Sequence, residues 1–196
     1  MLTPLRDPLA LLERTRADWP DHGDLWVFGY ASLIWRPEFE AVEWRPALVR
    51  GWHRSFRMRS RVNRGSPDQP GLVFALMSGG MCRGRVYRIP RERADDELVR
   101  LWQREMPTGV YDPRWLACQT PGGVLHALAF TLSRRSPNYT GRLDDEQLLH
   151  ILRHAEGRYG TTLDYLLQTA HALRDCAVRD REIERLVALA RGQGLV

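Results

Sequence analysis

Glu105 stands where two preferences of a helix oppose a carboxylate. The stretch 91–106 reads as a helix, with Glu92, Asp95, Asp96 and Glu97 near its start and Pro107 just past its end, both ordinary boundary signals. Within it, Glu105 follows Leu98 by seven residues, Leu101 by four and Trp102 by three, so it shares the apolar face. It also falls in the last turn, where the helix dipole disfavours negative charge by about 0.3–1 kcal/mol. Two readings stand open. Either an arginine or a solvent edge resolves the conflict, or burial raises the pKa toward neutrality, as general acid–base work requires.

A second feature is the segment Val27-Phe28-Gly29-Tyr30-Ala31-Ser32-Leu33-Ile34-Trp35. An apolar strand passes into small residues and a hydroxyl, which leaves backbone N–H groups with little side-chain cover and can seat an anion. Equally, Gly29 can serve only to permit an unusual backbone angle. Other groupings carry less. Glu146, His150 and His154 recur at helical spacing, but without a ligand from another element they read as a helix surface, and no metal site is expected. Cys118 and His126 could oppose each other across a hairpin, yet a thiol beside Trp115, Leu116 and Ala117 reads as buried and inert. Tyr111-Asp112-Pro113 reads as a turn, and Trp26, Trp35, Trp44 and Trp52 as core and barrel-wall residues.

The elements that must position these groups are short strands and a few helices. Residues 5–18 form an amphipathic helix with Leu5, Leu9 and Leu12 on one side, ended by Pro20 and Gly23. Strands are expected at 25–30, 47–50, 53–61, 72–77 (closing on Gly79-Gly80), 83–89, 115–120 and 124–132, with Pro121-Gly122-Gly123 turning between the last two. After these come helices at 144–153, 163–173 and 183–190. Strands joined mostly by short turns suit an antiparallel or mixed barrel better than a parallel sheet. The expected architecture is therefore α+β, a small mixed or antiparallel β-barrel with surrounding helices. One domain over 1–196 is expected, with a helical N-terminal extension (1–24) and C-terminal helices (144–191), which fits the usual domain size.

Three stretches together resemble the ChaC-like γ-glutamylcyclotransferases. Val27 to Ser32, continued through Leu33, Ile34, Trp35, Arg36 and Pro37, resembles that family's signature loop, with Ala31 where the family usually has glycine. Trp102-Gln103-Arg104-Glu105-Met106 with Gly109 and Tyr111 resembles the stretch that carries its catalytic glutamate. Ser136-Pro137-Asn138-Tyr139-Thr140-Gly141 resembles its downstream Pro-Asn-Tyr motif. The matches fall in the family's order across roughly 25–170. The resemblance implies cyclisation of a γ-glutamyl peptide, above all glutathione, to 5-oxoproline without metal or cofactor. Glu105 would move the proton, and Val27, Phe28, Gly29, Tyr30, Ala31, Ser32, Leu33 and Tyr139 would bind substrate. If the Ala31 position needs a positive φ, alanine there costs on the order of 1–2 kcal/mol. Other γ-glutamyl amino acids or amines are the alternative substrates, and Arg36 offers a seat for a second carboxylate such as that of glutathione's glycine.

Composition narrows the remaining classes. All 29 basic residues are arginine, there is no lysine, and the net charge is +5; a coding bias explains this as well as an anion-seeking surface does. The rival from another class is a nucleic-acid-binding module, in which Arg54, Arg57, Arg59, Arg61 and Arg64 with Trp52 and Phe56 track a backbone and stack bases. Half-buried strands in a lysine-free chain show the same pattern, so the expected partner is a small molecule rather than nucleic acid. Three cysteines without a paired spacing, and no apolar run of about 18 residues, lead to the expectation of a cytoplasmic protein without disulfides or membrane contact. The oligomeric state is open.

Overall fold

The computed structural model describes residues 6–196; Leu5 of the expected first helix lies outside that range. The chain forms two units, one of Met1–His53 with Leu76–Ser133 and one of Arg54–Ala75 with Arg134–Val196.

A closed barrel of five strands draws most of its residues from the first unit. Its strands are β1 (Leu25–Gly29), β2 (Glu43–Ser60), β3 (Gly71–Ile89), β4 (Asp112–Thr120) and β5 (Gly123–Thr131), closed in the order β1-β3-β2-β4-β5. The pairing is mixed: β1 runs antiparallel to β3 from Leu25↔Ile89 to Gly29↔Arg85, and parallel to β5 at Val27↔Leu128. The apolar residues of these strands, Leu25, Val27, Phe28, Val86, Ile89, Leu128 and Phe130, are essentially without exposure. Two expected strand breaks are absent. The stretches 47–50 and 53–61 are one strand through Gly51 (φ 81°), and β3 continues through Gly79 and Gly80 (φ 102° and 71°). Glycine absorbs a left-handed residue there without ending the pairing, as at a bulge.

Helix α1 (Pro8–Ala17) starts on an Asp7 cap and buries Leu12 and Thr15; of the expected leucine side Leu12 is packed, while Leu9 is 69% exposed. After a short 3₁₀ turn at Pro20–His22, β1 leads into a single-turn helix, α2 (Ser32–Trp35). Helix α3 (Arg91–Glu105) buries Ala94, Leu98, Leu101 and Trp102 on the face the spacing indicates. Its start is fixed from outside: Asp24, just before β1, accepts the Arg91 N–H at 3.0 Å and pairs with Arg88 at 2.9 Å. The Arg88 hydrogen bond holds the Asp24 carboxyl below the usual range. The tryptophans divide between core and barrel wall. Trp19 and Trp102 are buried; Trp26, Trp44 and Trp52 lie on the outer wall under arginine, with Arg85 4.1 Å above Trp44, which is 54% exposed.

The second unit contains residues 54–60 of β2 and 71–75 of β3, a two-stranded ribbon of β6 (Glu156–Gly157) and β7 (Gly160–Thr161), and three helices. These are α4 (Asp145–His154), α5 (Thr162–Asp175) and α6 (Arg181–Gly192). Capping boxes open α4 (Asp144 with Gln147) and α5 (Thr161 with Asp164), satisfying two otherwise orphaned donors at each start. Phe56, Phe74 and Tyr165 cluster with ring separations of 4.6–6.5 Å. No helix among the described residues is long and apolar enough to cross a membrane.

Gly71 shows how closely the second unit is packed. A Cβ there would lie 1.9 Å from the Arg64 carbonyl oxygen and 2.2 Å from Thr162 Oγ1. Gly71→Ala therefore destabilises the protein by at least about 2 kcal/mol, a fall of roughly 4–8 °C in melting temperature. Gly192→Ala, in open space at the end of α6, produces no comparable loss in the same thermal scan.

Candidate active site

Glu105 is the last residue of α3, and its surroundings combine the two readings its position allowed. Its side chain is 15% exposed, and Arg104 Nε lies 2.9 Å from Oε1. Burial pushes the Glu105 carboxyl above the ordinary range; the Arg104 charge and hydrogen bond pull it back, and the negative charge of Glu38 adds a smaller upward push. Direction matters here more than size. An acid with its pKa moved toward neutrality can both accept and return a proton near pH 7.

Arg104 reaches the other half of the site. Its Nη1 donates to the Pro37 carbonyl at 2.9 Å and to that of Arg36, and lies 3.1 Å from Glu38 Oε2. The end of α3 is thereby fastened to the segment leaving α2, immediately after the signature loop. Glu38 holds its place with a left-handed φ of 57° and pairs with Arg36 Nε at 2.5 Å. Arg36, expected as a seat for a second carboxylate, is thus engaged within the protein.

The signature loop divides into core and rim. Val27 and Phe28 are fully buried and Leu33 is 5% exposed, so their side chains belong to the core and only their main chain could meet a ligand. Gly29 is tightly enclosed: a Cβ would stand 3.0 Å from the Tyr87 ring and 3.2 Å from Leu33. Tyr87 in turn donates its hydroxyl to the Ile34 carbonyl at 3.3 Å, fixing α2. Ala31 caps α2 with a φ of −145°, so the positive φ that would have made alanine costly is not required. Ser32 is partly exposed and opens the helix, where first-turn N–H groups have no partner within the helix itself.

Phe130 joins these parts. Its carbonyl accepts the Tyr30 hydroxyl at 2.9 Å, and its ring lies 6.0 Å from Trp102 and 6.1 Å from Tyr111. The signature loop, the glutamate-bearing helix and the segment after it therefore meet on one β5 residue. Gly109, the remaining member of that stretch, has a φ of 61°, and Arg6 fastens the segment through the Gly109 and Tyr111 carbonyls and Asp112.

Tyr139 belongs to the second unit, where its backbone bridges to Met58. The bridge is framed by hydrogen bonds from Arg59 N–H to the Asn138 carbonyl (2.8 Å) and from Thr140 N–H to the Arg57 carbonyl (3.0 Å). The Pro-Asn-Tyr segment is thus a short edge beside the end of β2.

The competing groupings come apart. In the β4–β5 register Cys118 opposes Leu125 and His126 opposes Ala117, and burial pushes the Cys118 thiol up to about 12. Arg54 and Arg64, part of the proposed basic strand, are buried, Arg54 against Asp180 at 2.5 Å. The rings of His150 and His154 lie 4.8 Å apart and tilted by 52° on exposed turns of α4, and the described residues contain no group of three His, Cys, Asp or Glu poised for a metal. Sequence reasoning gave no role to Arg104, Glu38 or Phe130. An arginine directly before a half-buried acid was a readable signal; the other two act through tertiary contacts and left none.

A closed mixed barrel of five strands, with this loop and an acid closing a helix beside it, has the γ-glutamylcyclotransferase fold. A yeast crystal structure of a γ-glutamylcyclotransferase specific to glutathione superposes with a TM-score of 0.78 at 20% identity, covering 87% of this chain and 96% of its own. The chain belongs to the ChaC-like protein family, whose model matches residues 25–193. It is 36% identical to the glutathione-specific γ-glutamylcyclotransferase of Escherichia coli K12, over 91% of this chain and 78% of that protein. Glutathione-specific γ-glutamylcyclotransferase 1 of Mus musculus is 33% identical over 92% and 86%.

The raised pKa of Glu105 has a consequence for stability. When a carboxyl's folded-state pKa exceeds its unfolded value, the stability it contributes is full below the unfolded pKa and is lost as pH rises through the folded one. Glu105→Gln, permanently uncharged, therefore melts above the parent at about pH 8 and level with it at about pH 4, as thermal scans at the two pH values will show.

Proposed function

We propose that this protein is a cytoplasmic γ-glutamylcyclotransferase that cleaves glutathione to 5-oxoproline and Cys-Gly, with the whole chain, 1–196, acting as one γ-glutamylcyclotransferase-like domain. Relatives from a bacterium and a mammal that carry this activity in their names support the substrate, and a family match running through both units supports the extent. Three cysteines that form no disulfide suit a reducing compartment. The observation that carries the mechanism is the Glu105 carboxyl, raised by burial and held beside the segment that leaves the signature loop.

The substrate brings its own nucleophile, so much of the proximity is built into it. Its α-ammonium, with an unperturbed pKa of about 8, first loses one proton to solvent. The amine nitrogen then attacks the γ-carbonyl carbon, closing a five-membered ring while Glu105 takes the second proton. Collapse of the tetrahedral intermediate breaks the bond between that carbonyl carbon (Cδ of the glutamyl group) and the cysteinyl nitrogen. Glu105 returns its proton to that leaving nitrogen, and Cys-Gly departs. Backbone N–H groups of Val27–Leu33 and the Ser32 hydroxyl hold the α-carboxylate, and Tyr30 flanks the γ-glutamyl group; the substrate role of Tyr139 rests on its place in the Pro-Asn-Tyr motif alone. Tyr30 acts here as a rigid wall, its hydroxyl being directed to the Phe130 carbonyl.

Purified protein incubated with glutathione releases 5-oxoproline and Cys-Gly in equal amounts, and Glu105→Gln lowers kcat by at least about 10²-fold. A Glu105→Gln protein as active as the parent removes Glu105 from the chemistry. No turnover of glutathione alongside turnover of another γ-glutamyl amine moves the substrate assignment instead.

A further inference from the structure

Beyond the catalytic region, Val42 and Met81 are exposed, Trp44 lies under Arg85, and the Cys118 thiol is buried. Beside the acid, Arg104 is held at both ends of its guanidinium.

We propose that Arg104 is the positioning residue of the reaction: its guanidinium fixes Oε1 of Glu105 against the Arg36–Glu38 segment, so that Oε2 is the oxygen that serves the substrate. This rests on the reading of Glu105 as the acid–base group. Arg104 Nε contacts Oε1 at 2.9 Å, while Nη1 is held by the carbonyls of Arg36 and Pro37 and by Glu38 at 3.1 Å. The guanidinium is planar and its donors are fixed relative to one another, so anchoring one end orients the other. Oε2 has no hydrogen-bond partner among the described residues, and the side chain keeps its 15% exposure. One oxygen is restrained and the other is left open.

The same contacts make Glu38 a remote adjuster. Three charged side chains bear on the carboxyl or its anchor: Arg104 from α3, and Glu38 and Arg36 from the segment after α2. Arg104 favours the ionised carboxylate and Glu38 disfavours it, while Glu38 also draws on the Arg104 charge through Nη1. Removing each one must therefore move the titration of Glu105 in opposite directions. A side chain that only braced the fold would not show opposed signs.

The test is the pH profile of kcat/KM for glutathione in the parent, Arg104→Gln, Arg104→Lys, Glu38→Gln and Glu105→Gln, with thermal melts confirming folding. The substrate amine titrates alike in every protein, so differences in the acidic limb belong to the enzyme. Arg104→Gln is expected to shift that limb to higher pH and to lower kcat by about 10²-fold, as loss of alignment does, with KM little changed. Arg104→Lys keeps a charge without the planar fork, so it retains most of the limb position but not the rate. Glu38→Gln, at a side chain 41% exposed, shifts the limb to lower pH; it decides the matter even if Arg104→Gln fails to fold. Acidic limbs unmoved in the folded variants overturn the proposal. If Glu105→Gln is inactive in that case, only the role of Arg104 falls; if Glu105→Gln keeps full activity, the reading of Glu105 falls with it.

Discussion

A carboxylate held at the wrong end of a helix, against an apolar face, is the constraint around which the first unit is arranged. Left alone, Glu105 would be disfavoured by the α3 dipole and by desolvation together. Arg104 offsets both, but only because it is itself tied to the segment after α2. The other end of α3 is tied to Asp24, the residue before β1. The helix is therefore stretched between the two flanks of one strand and its following turn, and Phe130 fills the space where Tyr30, Trp102 and Tyr111 converge. Barrel, loop and helix constrain one another, and the acid lies where those constraints meet.

The abundant arginine takes on a different meaning in this setting. Among the described residues many guanidiniums act as internal fasteners: Arg6 on the 109–112 segment, Arg54 on Asp180, Arg88 between Asp24 and Glu43. Others lie over aromatic rings on the barrel wall, as Arg45 does over Trp26 and Arg85 over Trp44. Such contacts cover apolar surface while leaving the charge near water. A positive net charge that looked like a surface property in the composition is, at these positions, structural.

How much could be read beforehand follows from the range of the forces involved. Helix α3 was legible to within a residue because its period, acidic start and closing proline are local, and the same periodicity placed Glu105 on the buried face. The β4–β5 hairpin was legible from Pro121-Gly122-Gly123. Strands β2 and β3 were cut too short, because Gly51, Gly79 and Gly80 look identical in sequence whether they end a strand or bend it. The exposure of Leu9 on α1, on the same side as the buried Leu12, has no local signal, because burial there depends on which partner arrives and not on spacing. In the site, the acid and the loop were visible as residue types in awkward places. The link between them, from Arg104 to Glu38, spans more than sixty residues of chain and is written in no local pattern.

The division of the chain has a consequence for its synthesis. Each unit is assembled from two separated stretches, and the second includes residues 54–75 and 134–196. As the polypeptide leaves the ribosome, everything the first unit needs has been made once Ser133 emerges. The apolar ends of β2 and β3, with Phe56 and Phe74, must then wait for α5 and its Tyr165. At ordinary elongation rates that interval lasts several seconds, far longer than a hairpin or helix takes to form. During it, the aromatic ends of β2 and β3 still lack the cover that α5 supplies, so that interval is when a chaperone would have most to shield.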